Sequence, residues 1–271
     1  MFEKIFGTDK NIIIGAIHLP PMPGYQDFPG IDVAIGNALK DLEAFEGGGV
    51  TATIFENNYD LPHTEFVTVQ IYQAMKEVGA GIKQRANKAL GVSVLWNDYK
   101  TALNIAGELG LPFARIPVFV DKVKTNYGVI EGNADKIAKY RDELGSGPVA
   151  LFADIHVKHA ELLSPYTLAE SAKMAIDKGS DALIITGGWT GDPPTAQTID
   201  SLRKSVGNFP ILVGSGLDEN NARELLSVAN GAIVSTSLKE GARDNNETNL
   251  TKYNQRISKE KVVSLMSLLK R

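Results

Sequence analysis

The sequence of 271 residues predicts a closed (β/α)8 barrel, the TIM-barrel fold. Eight short apolar runs alternate with amphipathic stretches of helical period, and their starts recur about every 31 residues, the length of one βα unit. The runs lack the polar alternation of an open face, as expected for a parallel sheet covered by helices. A doubly wound open sheet is the alternative, but residues 214–216 lack the third glycine of a dinucleotide-binding fingerprint.

Each predicted element has its own signal along the chain. The strands are short runs rich in Ile, Val, Leu and Ala, bounded by Gly, Pro, Asn or Asp, at 12–18, 50–55, 91–95, 113–119, 149–155, 182–186, 211–214 and 232–235. The helices place apolar residues three and four positions apart, at 33–45, 68–78, 101–109, 134–144, 168–176, 199–206, 222–228 and 259–269. The two longest connections, 19–32 and 120–133, are predicted to be lids or binding loops. No shift in composition marks a boundary, so residues 1–271 are predicted to form one domain.

Composition and charge exclude several classes of protein. A net charge of -4, from 28 basic and 32 acidic residues, gives no basic footprint for nucleic acid. The absence of cysteine excludes disulfides, zinc-thiolate sites and a thiol nucleophile. The sequence contains no run of about 18 apolar residues, which membrane insertion would need. Its first residues lack the apolar stretch of a secretory signal, so a cytoplasmic location is expected. Composition leaves open whether the protein forms a homo-oligomer.

Polar side chains cluster where the predicted strands end, which is where barrel enzymes carry their active sites. They are His18, Glu56, Asn57, Asn97, Asp98, Asp154, His156 and Thr186. Asp98 is better explained as the N-cap of the next helix. His18 precedes a stiff Pro-rich segment that could hold it over the barrel mouth, although a structural histidine is an equal alternative.

The segment 154–159 carries the strongest local pattern. With the period of two of a strand, Asp154, His156 and Lys158 share a face and His159 falls on the other. Arg115, inside the fourth strand, needs an anion if it points inward, and Asp154 on the adjacent strand is the natural candidate. Asp154 is therefore either a counter-ion or a reacting group.

Two Gly- and Ser-rich loops after the last strands predict a binding site for phosphate or another anion. Glycine lets a ligand approach the backbone, and hydroxyl and amide groups donate hydrogen bonds. The loops consist of Gly214, Ser215 and Gly216 after the seventh strand and Ser235, Thr236 and Ser237 after the eighth. Their position is the one at which barrel enzymes commonly bind phosphate, although ordinary turns are the alternative.

No cofactor is predicted from a motif, since the P-loop, HExxH, EF-hand and GxSxG patterns are all missing. A divalent metal stays possible. Glu56, Asp154 and His156 carry suitable ligand atoms, but their spacing is not diagnostic.

The chain resembles the BtpA/SgcQ family in several motifs that follow in the same order. These are GAIHLPPMPG at 15–24, FEN at 55–57, GVSVLWND at 91–98, GVIEG at 128–132, ADIHVKHA at 153–160 and GSG at 214–216. The resemblance implies a (β/α)8 barrel of the phosphate-binding kind. One branch of that family is linked to photosystem I biogenesis, and another lies among sugar-metabolism genes and is suspected of nucleosidase or related activity.

Two departures from the family pattern concern the substrate. Residues 125–127 read Thr-Asn-Tyr where the family usually has Thr-Asp-Gln, so an acid supplied by that loop is lost. The fourth strand carries Pro117 where Asn is more common.

Two functions follow as hypotheses. The first is an enzyme of the lyase, isomerase or nucleosidase type acting on a small phosphorylated sugar or nucleoside-like substrate. Its general acid and base would be Glu56 and Asp154, its proton shuttle His156 and its electrostatic stabiliser Lys158, with His18 as a further catalytic candidate. Substrate would contact Asn57, Asn97, Arg115, Thr186 and the two anion-binding loops. The alternative is a non-catalytic assembly factor, which predicts a large exposed apolar patch, and the fold cannot choose between them.

Overall fold

The computed structural model describes residues 1–145, 148–241 and 252–269. Its strands, in chain order, are β1 (Ile12–His18), β2 (Ala52–Glu56), β3 (Ala89–Ser93), β4 (Phe113–Ile116), β5 (Lys122–Thr125), β6 (Gly128–Glu131), β7 (Ala150–Ile155), β8 (Ala160–Leu162), β9 (Ala182–Ile185), β10 (Ile211–Val213) and β11 (Gly231–Val234). Eight of them, β1, β2, β3, β4, β7, β9, β10 and β11, pair in parallel and in that order, and β11 returns to β1. The predicted (β/α)8 barrel is confirmed.

Helices connect successive barrel strands, as parallel pairing requires, while one helix precedes the first strand and another follows the last. They are α1 (Phe2–Phe6), α2 (Ile31–Gly48), α3 (Val69–Arg85), α4 (Tyr99–Leu109), α5 (Ala134–Glu143), α6 (Leu168–Asp177), α7 (Ala196–Val206), α8 (Ala222–Leu226) and α9 (Lys259–Leu269). The predicted N-cap is confirmed, because Asp98 Oδ1 accepts the Thr101 N–H at 3.0 Å and α4 begins there.

Alternation along the strands separates two apolar cores. One face packs against the helices, with residues such as Ile13, Ile17 and Phe55. The other face fills the barrel, with Ile12, Ile14, Ala52, Ile54, Phe113, Phe152, Ile184 and Leu212. Helix α1, which the sequence did not predict, adds Phe2 to this inner core and closes the amino end of the barrel.

A small antiparallel sheet with the order β6, β5, β8 lies outside the barrel. Two of its strands come from the connection 120–133, which the sequence predicted as a lid or binding loop. The sheet packs through Val123 and Ile130 on Trp96 and Val157. It therefore holds the segment that follows β7 from above.

Candidate functional site

A cavity of about 1180 Å³, including space open to solvent, lies at the carboxyl ends of the barrel strands. Ten predicted site residues line it: His18, Glu56, Arg115, Lys158, Gly214, Ser215, Gly216, Ser235, Thr236 and Ser237. Five do not line it: Asn57, Asn97, Asp154, His156 and Thr186. The strand ends and the two Gly- and Ser-rich loops thus share one space.

Arg115 binds two carboxylates at the floor of this cavity. Its Nε and Nη2 donate to the two oxygens of Asp154 at 2.9 and 2.8 Å, and its Nη1 donates to Glu56 Oε1 at 2.9 Å. The predicted pair of Arg115 and Asp154 is confirmed, and Glu56 is a second partner that the sequence did not indicate. Burial alone would lower the pKa of Arg115, but the Asp154 and Glu56 carboxylates outweigh burial and raise it above its ordinary value.

Lys158 extends into the cavity from the segment after β7. Its backbone N–H donates to Thr186 Oγ1 at 3.0 Å, which fixes the chain at this point. Within residues 1–145, 148–241 and 252–269, its amine forms no hydrogen bond or ion pair. Burial, together with the charge of Arg115, lowers the pKa of Lys158 to about 8 against the opposing effect of Glu56 and Asp154. The structure therefore presents an amine that loses its proton near neutral pH.

His18, at the end of β1, faces the same cavity as a neutral imidazole. Burial, followed by the charges of Lys239 and Lys158, holds its pKa well below the usual 6.5. Lys239 is only 2% exposed and donates to Tyr59 Oη at 3.1 Å. Burial lowers the pKa of Lys239 to about 8, so a second buried amine lies behind His18.

The prediction that Asp154, His156 and Lys158 share one face is wrong. Strand β7 ends at Ile155, and His156 has a left-handed backbone with φ of 49°, so the alternation stops there. The His156 ring lies against α6, with Nε2 at 3.4 Å from Ser171 Oγ. His159, which was expected on the opposite face, lines the cavity instead.

Three residues predicted to bind substrate have partners within the protein. Asn57 accepts from the Leu95 N–H at 2.7 Å and donates to Asp60 at 3.0 Å. Asn97 exchanges two hydrogen bonds with the backbone of Val118, at 3.0 and 2.9 Å. Thr186 accepts from Lys158, as described above. These side chains hold the loops of the cavity together because their polar groups bond to neighbouring backbone or side chains.

The two Gly- and Ser-rich loops use some of their polar groups for packing. Ser215 Oγ donates to the Asp192 carbonyl at 2.7 Å, and Ser237 Oγ donates to the Leu217 carbonyl at 2.8 Å. Gly216 has a φ of +71°, and a Cβ there would lie 2.2 Å from the Pro193 nitrogen, so only glycine fits.

Other polar groups of these loops are unused. In the part of the chain that the structure describes, the backbone N–H groups of Gly216, Thr236 and Ser237 donate no hydrogen bond. Ser235 Oγ is buried and has no hydrogen-bond partner among the described residues. Donors of this kind suit an anion.

Five aromatic rings also line the cavity. His63, Trp96, Tyr127, His159 and Trp189 line it. Burial lowers the pKa of His63 to about 4, and burial with the charge of Lys158 lowers that of His159 to about 3, so both rings are neutral. The signal available in the sequence was the unusual density of His and Trp in the loops that follow the strands.

The residues proposed as metal ligands do not come together. Both oxygens of Asp154 and one of Glu56 bind the Arg115 guanidinium, while His156 contacts α6. Among the described residues, no group of three or more His, Asp or Glu side chains is placed to hold a metal ion. The described helices also include none with both the length and the apolar character needed to cross a bilayer.

Solved structures with the same fold cover nearly the whole chain. KGPDC from Streptococcus mutans has a TM-score of 0.58 at 11% identity and covers 97% of this chain and 98% of its own. N-(5'-phosphoribosyl)anthranilate isomerase from Pyrococcus furiosus has a TM-score of 0.57 at 12% identity, with 95% and 97% covered. At such identities the likeness shows the barrel alone.

Sequence relatives are much nearer. The photosystem I biogenesis protein BtpA of Synechocystis sp. is 35% identical over 232 residues, 84% of this chain and 80% of the relative. The uncharacterized protein PH1209 of Pyrococcus horikoshii is 34% identical over 241 residues, 88% and 91% of the two chains. The model of the BtpA family matches residues 9–263. This chain therefore belongs to the BtpA family.

Proposed function

We propose that the protein is an enzyme that acts on a small phosphorylated sugar or nucleoside-like substrate by general acid/base chemistry of the lyase, isomerase or nucleosidase type. One observation carries the proposal: a single cavity joins the unused N–H groups of the β10 and β11 loops to the free amine of Lys158. Separated anion-binding and proton-transferring groups in one cleft are what such a substrate needs.

The phosphate group would lie against Gly216, Thr236 and Ser237. The backbone N–H groups there donate to no other described residue, and the Thr236 hydroxyl likewise makes no hydrogen bond within the described ranges and serves as a further donor. Amides arranged around a concave loop bind anions without a charged side chain. The sugar carbons would then extend across the barrel axis.

The proton-transferring groups differ from those expected from sequence. Glu56 and Asp154 already bind Arg115, so they supply a fixed charged floor instead of moving protons. Lys158 takes the role of base, since a pKa of about 8 lies near working pH. His18 is the second candidate, as a neutral imidazole on the same cavity.

Binding of the phosphate can be tested by thermal unfolding with ribose 5-phosphate and with ribose. We expect ribose 5-phosphate to raise the Tm and ribose to leave it unchanged, because a ligand of the native state stabilises it by mass action. Thr236→Asp places a carboxylate in the loop and should abolish the increase. The matched control is Ser201→Asp on the exposed face of α7, which should keep it.

The chemistry is then followed by proton NMR in D2O. Conversion, base release or deuterium uptake should be seen with phosphorylated substrates and lost in Lys158→Met. Equal stabilisation by ribose and ribose 5-phosphate, or equal response of both Asp variants, would overturn the anion site.

A second candidate is an assembly or biogenesis factor. The role in photosystem I biogenesis by which the Synechocystis relative is named favours it, and so do the exposed apolar side chains of Leu61, Phe66 and Val69 in the segment before and at the start of α3. In a complementation test, a scaffold would tolerate Lys158→Met and fail with Phe66→Ser and Val69→Ser together. An enzyme would show the reverse.

A further inference from the structure

We propose that Lys158 is a nucleophile that forms an iminium (Schiff base) with the carbonyl carbon of a keto- or aldo-sugar phosphate. The inference deepens the proposed function and rests on it, because the phosphate-binding loops are what would bring the carbonyl to the amine. It narrows the substrate class to sugar phosphates that expose a carbonyl group.

The first argument is that the carboxylates near Lys158 are already in use. Glu56 and Asp154 are the acids that act on its charge, and Arg115 holds them at 2.8 to 2.9 Å. A buried ammonium group is normally stabilised by such a pair. Here Arg115 binds both carboxylates and adds its own positive charge, and burial together with this charge lowers the pKa of the Lys158 amine.

The second argument is accessibility, which a comparison with Lys239 makes clear. Lys239 is buried and Lys158 is partly buried, and loss of solvation lowers the pKa of each amine to about 8. Lys239 donates to Tyr59 Oη and does not line the cavity. Lys158 lines the cavity and has no partner within the described residues. Of these two lysines, only Lys158 offers a ligand both an amine of lowered pKa and an approach path.

The third argument is that the backbone of Lys158 is fixed. Its N–H donates to Thr186 Oγ1 at 3.0 Å, and the next N–H, of His159, donates to the Gly188 carbonyl at 3.3 Å. Strand β7 precedes the segment and β8 follows it. A nucleophile anchored on both sides loses little conformational freedom when it attacks.

At pH 7.5 the uncharged fraction decides whether attack is feasible. With a pKa of about 8, roughly a quarter of Lys158 amines are uncharged, against roughly one in a thousand for the ordinary value of 10.5. Desolvated lysines next to another cation are the kind that form such intermediates.

The step balances as a condensation. The Lys158 nitrogen lone pair attacks the carbonyl carbon, the C=O π pair moves to oxygen, and one proton passes from nitrogen to oxygen to give the carbinolamine. A second proton, taken from solvent, then converts the hydroxyl into leaving water as the nitrogen lone pair forms the C=N bond, which yields the protonated imine. His18, the neutral imidazole on this cavity, is placed to pass these protons.

The test is reductive trapping of the full-length protein. Dihydroxyacetone phosphate and glyceraldehyde 3-phosphate serve as probes, with sodium borohydride as the hydride donor, and dihydroxyacetone and glyceraldehyde as unphosphorylated controls. Hydride addition to the imine carbon leaves a secondary amine that adds the mass of the probe less one oxygen atom. We expect at least a tenfold preference for the peptide containing Lys158 over the one containing Lys239, and at least a tenfold dependence on the phosphate.

The variants separate this inference from the proposed function. Lys158→Met should lose the label and keep its thermal stabilisation by inorganic phosphate, whereas Lys239→Met should keep both. Stabilisation by phosphate with no label on Lys158, or equal labelling of Lys239, would overturn the covalent step alone. Absence of phosphate stabilisation in the wild type, with or without a label, would overturn the anion site on which the proposal rests.

Discussion

The two ends of the barrel interior are built from the same alternation of residues, but the amino end is aromatic and apolar and the carboxyl end is charged. At the amino end, Phe2 and Phe6 of α1 pack on Phe113 and Phe152, whose rings stack at 4.7 Å. At the carboxyl end, the next inward residues after Phe113 and Phe152 are Arg115 and Asp154. A step of two residues along a strand therefore separates an apolar plug from a charged floor.

This difference shows how one barrel divides its tasks. The aromatic end is stabilised by burial of apolar surface, and this stabilisation does not depend on pH. The charged end places an Arg and two carboxylates where water is largely excluded, at a cost in desolvation that only their mutual hydrogen bonds offset. Lys158 lies above this floor without such compensation. At the carboxyl end, the groups that cost stability are thus the groups that can take part in chemistry.

The largest loss of stability is expected for Arg115→Met, which tests the difference between the two ends. The change leaves Glu56 and Asp154 buried without their partner, and we expect a loss of about 3–5 kcal/mol in the free energy of unfolding, measured by urea denaturation. The loss should shrink as the pH is lowered from 7 to 4. In the variant, burial raises the pKa of the Asp154 carboxyl without the opposing charge of Arg115, so the cost of burying its charge is present above that pKa and disappears as it takes up a proton.

Two controls accompany this variant. Arg141→Met removes a guanidinium whose ion pairs with Asp142 and Asp181 are partly exposed, and should cost less than about 1 kcal/mol. The triple variant with Glu56→Gln and Asp154→Asn should recover part of the lost stability. An Arg115→Met protein as stable as the wild type at pH 7 would show that the floor is not a tightly coupled cluster.

At the amino end, Phe2→Ala should cost about 3 kcal/mol, because a buried aromatic side chain leaves a cavity against Phe152. Unlike the loss in Arg115→Met, this loss should be the same at pH 5 and pH 8. The control is Phe66→Ala, in which a half-exposed ring is removed. A pH-dependent loss in Phe2→Ala would contradict the division between the two ends.

Lys158→Met should stabilise the protein at pH 7. A folded-state pKa of about 8 instead of 10.5 corresponds to at most about 3 kcal/mol of destabilisation while the amine is charged in the unfolded chain. Because the unfolded state binds the extra proton, wild-type stability should rise between pH 8 and 10.5, and Lys158→Met should rise less. The groups acting on this amine are Arg115, Glu56 and Asp154. Exposed Lys173→Met is the control, and an unchanged pH slope would refute the assignment.

Gly216→Ala probes the phosphate-binding loop and should cost about 1–3 kcal/mol. The added Cβ meets the Pro193 nitrogen at 2.2 Å, and the φ of +71° disfavours any L side chain. Gly188→Ala is the matched control, since nothing lies within 4 Å of its added Cβ. Thermal unfolding of both variants, with and without phosphate, distinguishes strain from loss of the anion site; equal stability of the two would contradict the packing.

The smallest effect is expected for His156→Asn. Asparagine tolerates the left-handed backbone at this position, and the polar contact of the ring with Ser171 is long, at 3.4 Å, so stability should change by less than about 1 kcal/mol. Turnover should persist, whereas His18→Asn should lose it, since His18 lines the cavity. Loss of turnover in His156→Asn would return this histidine to the site.

The barrel could be predicted because its signal is repeated. Eight apolar runs at regular spacing indicate one topology, and each run need not be placed accurately. The strands β5, β6 and β8 were not predicted because they are three or four residues long. A segment such as Lys122–Thr125 alternates over too few positions to be distinguished from a loop. Helix α1 is only five residues long and depends on its packing against the barrel end.

The candidate site was predictable only where strand geometry persists. Arg115 and Asp154 lie within adjacent strands, so their pairing could be predicted, and Glu56 could be assigned to the carboxyl end of its strand. The pattern ended at His156, whose left-handed backbone no propensity predicts, and His156 and His159 consequently exchanged faces. Asn57 and Asn97 look like ligand-binding amides in sequence, and only three-dimensional contacts show that they bond to Leu95 and Val118.

The small sheet of β6, β5 and β8 gives the cavity a rim that is separate from the barrel. Residues 126 and 127, in the turn between β5 and β6, line the cavity, while the hydrogen bonds of the sheet run among its own three strands. This rim can therefore change during evolution, by exchange of the β5–β6 hairpin, without disturbing the eight barrel strands that carry the charged floor. Grafting the hairpin of one family member onto another should transfer ligand selectivity and leave the reaction itself in place.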